Sequence, residues 1–261
     1  MLREPSLNIV KFGFGEPTWD IVRLFPVQGD WSEEAYFHLA GNTHHRIELS
    51  DGVLEVLEVP HSRGTKRGDL SWDAAYLFPT QGNWSETNYL LLPSNERLEL
   101  ADNKVETLPM PSSLHQDLIA YLFALLKAFL KTHDPAARSF FASYPVRLRP
   151  GKFREPDILL VLSHHLERVG TQYCEKPDLV VEVVSPGNRD LDLETKRQEY
   201  AQAGIPEYWI VDPQTVEVIV LRLKAKTYVE HGVFARNDLA SSNLLKGFVV
   251  NLEEMWREVN R

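Results

Sequence analysis

Residues 177–213, PDLVVEVVSPGNRDLDLETKRQEYAQAGIPEYWIVDP, decide the architecture. Asp178 to Ser185 is a Val/Leu run broken by one acid, Glu182, and such runs form strands buried on both faces of a sheet. Ser185-Pro186-Gly187-Asn188 has the residue types of a turn, and Asp190 or Asp192 can cap the helix that follows. Gly204-Ile205-Pro206 ends that helix, because glycine takes the left-handed cap and proline cannot continue the ladder. Tyr208 to Val211 is then another buried strand.

Upstream, Asp157 to Leu162 is a second Ile/Leu/Val run and Phe140 to Leu148 a further strand candidate. Before them, Ser113 and Gln116 have the spacing of a capping box. Leu118, Leu122, Leu125, Leu126 and Phe129 continue at helical period until Asp134-Pro135. Downstream, Asp212-Pro213-Gln214 turns the chain into strands near Val216–Leu223 and Thr227–Phe234, and a terminal helix lies near Glu253. From Ser113 the order is αβββαβ, a mixed α/β (α+β) core with both helices packing on one central mixed sheet.

The N-terminal part is duplicated. Residues 19–36, WDIVRLFPVQGDWSEEAY, align with residues 72–89, WDAAYLFPTQGNWSETNY, and each copy ends in an alternating segment turned at Asp51-Gly52 or Asp102-Asn103, as in a β-hairpin. The first copy runs into HSRGTKRGDLS, which reads as a linker, and the second runs straight into the capped helix. We therefore expect residues 1–67 to hold the first copy and linker, and residues 68–261 to form one domain that includes the second copy.

Composition excludes whole classes. With 43% apolar and 25% charged residues the chain is globular, and its apolar runs fall short of the roughly 20 residues that cross a bilayer. No secretory leader is evident at the N-terminus, so the expectation is a cytoplasmic protein without membrane contact. One cysteine, Cys174, excludes a disulfide framework and a cysteine-based zinc site, so any metal must use oxygen or imidazole ligands. A net charge of −9 argues against general coating of polyanions and confines any nucleic-acid contact to a local basic patch.

Two acids stand where acids are costly. Asp157 opens one buried strand, after Glu155-Pro156, and Glu182 sits in the middle of the next. Buried carboxylates lose hydration and repel one another unless a cation is shared between them. Mg²⁺ or Mn²⁺, hard cations that take oxygen ligands, would resolve both problems. Lys196 lies four residues before Tyr200 on the following helix, on the side that also carries Leu193 and Ala203, so its ammonium is expected to lean toward the sheet. A lysine aimed at two carboxylates can orient a water and offset charge on a pentavalent phosphate. Arg147, Arg149, Lys152 and Arg154 form a basic cluster nearby, which suits a phosphate-backbone contact with DNA.

The segments LELADNKVETLPMPSSLHQDLIAYL, REPDILLV, KPDLVVEVVSP and LETKRQEYAQAGIPEYWIVDP resemble the Uma-type putative restriction endonuclease family, a branch of the PD-(D/E)XK nuclease superfamily. The resemblance runs from about Tyr89 to the C-terminus. It implies a restriction endonuclease-like αβββαβ core, a divalent metal and phosphodiester hydrolysis in DNA. Position by position it assigns Asp157 to the motif aspartate and Glu182 to the (D/E) of (D/E)XK, with the carbonyl of Val183 completing the metal ligands. Where the family pattern has its lysine this chain has Val184, so the basic role falls to Lys196, in a helix that also resembles the Q-x-x-x-Y helix of RecB-like nucleases. Glu99 matches a further glutamate of the family, as ligand or water-positioning group.

Blander readings compete with these. Asp157 and Glu182 can serve structural ion pairs, Lys196 can be a solvated helix lysine, Glu99 can lie on the exposed face of a hairpin, and His115 can be a packed or capping histidine. The expected function is thus a Mg²⁺-dependent endonuclease acting on DNA. The alternative is a catalytically silent nuclease fold that binds DNA or protein, with a homodimer or a protein partner at residues 1–67 as further expectations.

Overall fold

The computed structural model describes residues 16–41, 43, 45–57, 66–92, 97–185 and 189–260. The His61–Thr65 part of the expected linker and the Pro186–Asn188 turn lie outside them. Two compact units divide the chain, one ending at Leu108 and the other starting at Pro109.

In the first unit each copy of the repeat folds alike. A 3₁₀ helix (Trp19–Leu24 or Trp72–Leu77) leads to a short α-helix, α1 (Glu33–Gly41) or α2 (Glu86–Leu90). A hairpin follows: β1 (Ile47–Ser50) with β2 (Val53–Val56), or β3 (Leu98–Ala101) with β4 (Lys104–Thr107). Asp51-Gly52 and Asp102-Asn103 both take positive φ, the mirror-image turn whose twist suits a hairpin.

The residues repeated in sequence are those that lock the copies together. Thr18 Oγ1 donates to Pro79 O (2.9 Å) and accepts from Trp84 Nε1 (2.7 Å). In the other copy, Ser71 Oγ donates to Pro26 O (2.8 Å) and accepts from Trp31 Nε1 (2.7 Å). Between them Trp31, Phe25, Phe78 and Trp84 stack in a column with centroid spacings of 5.8, 5.5 and 6.2 Å. Gln28 clamps the backbone of Leu54 through both amide atoms, as Gln81 clamps that of Val105. Leaving a buried indole N–H without an acceptor is costly, and Trp31 and Trp84 each find one in the other copy. The division expected after residue 67 therefore gives way to one after Leu108.

The second unit opens with α3 (Ser113–His133). Its N-cap is Ser112, whose Oγ accepts the His115 N–H at 3.2 Å, so the expected Ser113/Gln116 box is displaced by one residue. At 21 residues α3 is long and apolar enough to span a bilayer by length and composition, which the reading of short apolar runs overlooked. Its Leu118, Leu122, Leu126 and Leu130 form a buried stripe.

The expected strand from Phe140 to Leu148 is two strands, β5 (Arg138–Phe141) and β6 (Val146–Arg149), because Pro145 has no N–H for a ladder. Next come β7 (Lys152–Arg154), β8 (Ile158–Val161), β9 (Cys174–Glu175) and β10 (Leu179–Val183). A π-helical turn, Leu191–Thr195, leads into α4 (Lys196–Ala203), which Gly204 ends at φ +79°. The chain closes with β11 (Glu207–Asp212), β12 (Glu217–Lys224), β13 (Thr227–Phe234), β14 (Leu239–Ser241), β15 (Val249–Asn251) and α5 (Leu252–Glu258).

The central sheet has the order β13-β12-β11-β10-β8-β5, with β10 and β11 parallel and the other pairs antiparallel. The leucines of α3 pack with Val181, Val183, Trp209 and Val211 on one face, while Tyr200 and Ala201 of α4 pack with Val180, Tyr208 and Ile210 on the other. Side chains alternate along a strand, so Glu182 shares the α4 face with Val180 and Val184.

Candidate active site

Asp157 and Glu182 are 1% and 2% exposed, so both carboxyls are fully desolvated. Asp157 immediately precedes β8, which pairs antiparallel with β10 through Ile158 and Val181. Its Oδ2 accepts the Val183 N–H at 2.8 Å, which ties the aspartate to the residue after Glu182. The same oxygen lies 3.1 Å from His115 Nε2, in the first turn of α3. His115 is itself buried, and its Nδ1 has no hydrogen-bond partner among the described residues. The packed-or-capping reading missed this contact. Its signal was a histidine three residues after a helix cap, too common to be diagnostic.

Across the sheet face, Lys196 Nζ lies 3.0 Å from Glu182 Oε1 and 3.0 Å from Asp192 Oδ1. Tyr200 donates its hydroxyl to Glu182 Oε1 at 2.6 Å. The inward lean expected of the Lys196/Tyr200 pair is therefore what the structure has. Asp192, by contrast, does not cap the helix: it is buried in the π turn and meets Lys196 one turn on. Burial pushes the Glu182 carboxyl up to about 8 against the pull of Lys196, with Asp157 and Asp192 pushing the same way and the Tyr200 hydroxyl opposing. Two carboxyls, those of Glu182 and Asp192, thus share one ammonium, and Asp157 adds to the negative field on Glu182.

Not every buried acid of this unit shares that strain. Glu207 accepts from Trp209 Nε1, Ser242 Oγ and the N–H groups of Asn243 and Leu244, and so pins a loop. Asp178, on the same run as Glu182, accepts from Leu162 N–H and pairs with His165 and Arg168. Both are structural by the completeness of their partners.

The basic cluster divides in two. Lys152 and Arg154 are buried and both pair with Glu199, Arg154 through Nε at 2.8 Å and through a second nitrogen at 3.1 Å. Their charge is spent within the protein, so they are not the open phosphate contacts expected of them. Arg149 is exposed, and Arg147, half-buried, pairs with Glu175 at 3.1 Å. Glu99 lies on β3 of the first unit and is fully buried, contrary to an exposed hairpin face.

The residues present suit a hard divalent ion. Asp157 and Glu182 offer carboxylate oxygens beside the Val183 main chain, and a cation would relieve the cost that burial, with Asp157 and Asp192, places on an ionised Glu182. Among the described residues no three His, Cys, Asp or Glu side chains converge on one point, so an ion held there would keep several waters, as Mg²⁺ does.

Comparison with known proteins agrees with this architecture. No curated protein matches the sequence. Among solved structures, a "putative nuclease belonging to DUF820" from Anabaena variabilis superposes with a TM-score of 0.56 at 18% identity, covering 67% of this chain and 98% of the other. At that identity the likeness establishes the fold. The model of the Uma2 family, described as "Putative restriction endonuclease", matches residues 84–253, a span that contains Glu99, His115, Asp157, Glu182, Asp192 and Lys196. With a nuclease fold of restriction endonuclease-like order and a family match over most of its length, the chain belongs to the Uma2 family.

Proposed function

We propose that the protein is a divalent-metal-dependent endonuclease that hydrolyses phosphodiester bonds in DNA. The observation that carries the reading is the Lys196 ammonium bridging Glu182 and Asp192 in a buried pocket of charge next to Asp157. The structural ion pairs of this unit have bases that equal or outnumber the acid, as Asp212 has Arg189 and Glu199 has Lys152 and Arg154. Here the acids outnumber the ammonium.

Asp157, Glu182 and the Val183 carbonyl would hold Mg²⁺ or Mn²⁺, which when bound supplies Lewis acidity and a water of lowered pKa. The chain's own residues do the rest. Tyr200 fixes the Glu182 carboxyl, and His115 with the Val183 N–H fixes that of Asp157. Asp192 holds Lys196 against Glu182, where the ammonium N–H groups would orient the attacking water and offset charge on the phosphate.

The competing reading is a silent nuclease fold, favoured by the fact that Lys196 and His115 already sit on the two carboxylates. Incubation of the full chain with supercoiled plasmid separates them. Nicked and linear products with Mg²⁺ or Mn²⁺, and none with Ca²⁺, are expected. Intact plasmid with every divalent ion would favour the silent fold.

A further inference from the structure

We infer that the outward ridge of α4 is the surface that meets duplex DNA, an assignment that rests on the proposed nuclease function. Lys196 and Tyr200 turn inward from this helix. On its other side Gln198 and Gln202, with Glu194 of the preceding π turn, are spaced four apart and exposed, so they form one line. Two clefts, of about 330 and 380 Å³, are each lined by these same three residues, which makes the line a ridge between two troughs.

Both troughs are walled by cations. The β6–β7 hairpin brings Arg149 to one, which Lys152 and Glu199 also line as a closed pair, while Arg197 and Lys226 line the other. Glu199 is held by Lys152 and Arg154, so Glu194 is the acid that remains on the ridge. In a chain of net charge −9 this is a local reversal of sign, and it points to a polyanion.

The shape narrows the polyanion to a duplex. A helix that presents amides between two cationic troughs fits a groove, with base edges facing the glutamines and a phosphate backbone on each side. Glutamine amides both donate and accept, the pairing that adenine edges offer in the major groove of DNA. A single strand would occupy one trough and leave the other cations unused. The major groove of duplex RNA is too deep and narrow to admit a helix.

Fluorescence anisotropy of a labelled mixed-sequence duplex, with the full chain in Ca²⁺, tests the assignment. Arg149→Ala/Arg197→Ala/Lys226→Ala should weaken binding at least about tenfold at low salt and flatten the slope of log K against log [salt] by about one per cation removed. Gln198→Ala/Gln202→Ala should keep that slope and lose preference among duplex sequences. All five side chains are half-buried or exposed, and a thermal shift with Mn²⁺ on the same samples confirms that fold and metal site are intact. Unchanged affinity in the triple variant would overturn the ridge while leaving the nuclease reading in place. Tighter binding of single strands or duplex RNA by the wild type would overturn the choice of partner. A wild type that binds Mn²⁺ but no nucleic acid would overturn both the ridge and the proposed substrate.

Discussion

Replacing Lys196 by methionine keeps the length of the side chain and removes its charge. Glu182 and Asp192 side chains, 3% and 5% exposed, then lose the ammonium that lies 3.0 Å from each. Glu182 is the acid that burial already pushes toward its neutral form, so the stranded charge is chiefly that of Asp192. Breaking a buried pair by removing one partner costs about 3–5 kcal/mol. The escape is to protonate the stranded carboxyl, at about 1.4 kcal/mol for each pH unit above its ordinary range, or about 4 kcal/mol at pH 7. The two estimates agree, and a unit of this size loses about 2–4 °C of Tm per kcal/mol, so Lys196→Met should melt about 6–20 °C below wild type at neutral pH. The deficit should shrink on acidification, because protonation becomes cheaper. Mn²⁺ should stabilise both proteins, by about 2.7 kcal/mol at one hundred times the dissociation constant, and the deficit should shrink because the variant, in which the ion takes over the missing positive charge, binds it more tightly. Calorimetric scans of both proteins from pH 5 to 8, with and without Mn²⁺, read all three effects. A variant as stable as wild type at pH 7, or one indifferent to Mn²⁺, would refute the reasoning.

Other perturbations follow from the same geometry. Glu182 holds its proton up to about 8 in the folded state and releases it near 4.5 when unfolded, so its contribution to stability falls as pH rises between those values. Glu182→Gln should remove that slope and leave the metal-free protein more stable at pH 8, by up to about 4 kcal/mol; an unchanged pH profile in urea unfolding would contradict this. Asp157→Asn can still accept from the Val183 N–H, so metal-free stability should change by less than about 1 kcal/mol while the Mn²⁺-induced shift disappears. A large loss of metal-free stability would instead make Asp157 a structural acid. In the first unit, Thr18→Val strips the partner from Trp84 Nε1 and from Pro79 O and should cost about 2–4 kcal/mol in urea; a change within about 0.5 kcal/mol would show the lock to be unimportant. A chain beginning at Gly68 lacks Thr18, Phe25 and Trp31 and should aggregate, whereas a monodisperse, cooperatively melting product would restore the division after residue 67.

The core was legible because its signals are local. Runs such as LVVEV and EYWIVD have the length and β-branched content of buried strands, and the Leu118 to Leu130 stripe has the period of a packed helix, so the αβββαβ order followed from period and punctuation. Lys196 was placed correctly because four-residue spacing fixes the face of a helix. What escaped depends on distance through space. Asp192 looked like a cap because aspartate commonly is one, although its four-residue spacing to Lys196 is a local signal that the two meet. Lys152 and Arg154 looked like surface cations because their shared partner, Glu199, lies 45 residues beyond Arg154. The duplicated element looked separable because its repeat was visible in sequence. The hydrogen bonds that join Trp84 to Thr18 and Trp31 to Ser71 exist only after the copies have folded together.

The central claim is that Asp157 and Glu182 share one divalent ion. Calorimetric titration of Mn²⁺ into the full chain at pH 8, beside Glu182→Gln and Asp157→Asn, tests it without any substrate. The account predicts one site in the wild type with protons released on binding, because the raised Glu182 carboxyl must ionise, and no measurable site in either variant although both remain folded. A wild type that takes up no Mn²⁺, or variants that bind it as tightly as wild type, would contradict the claim.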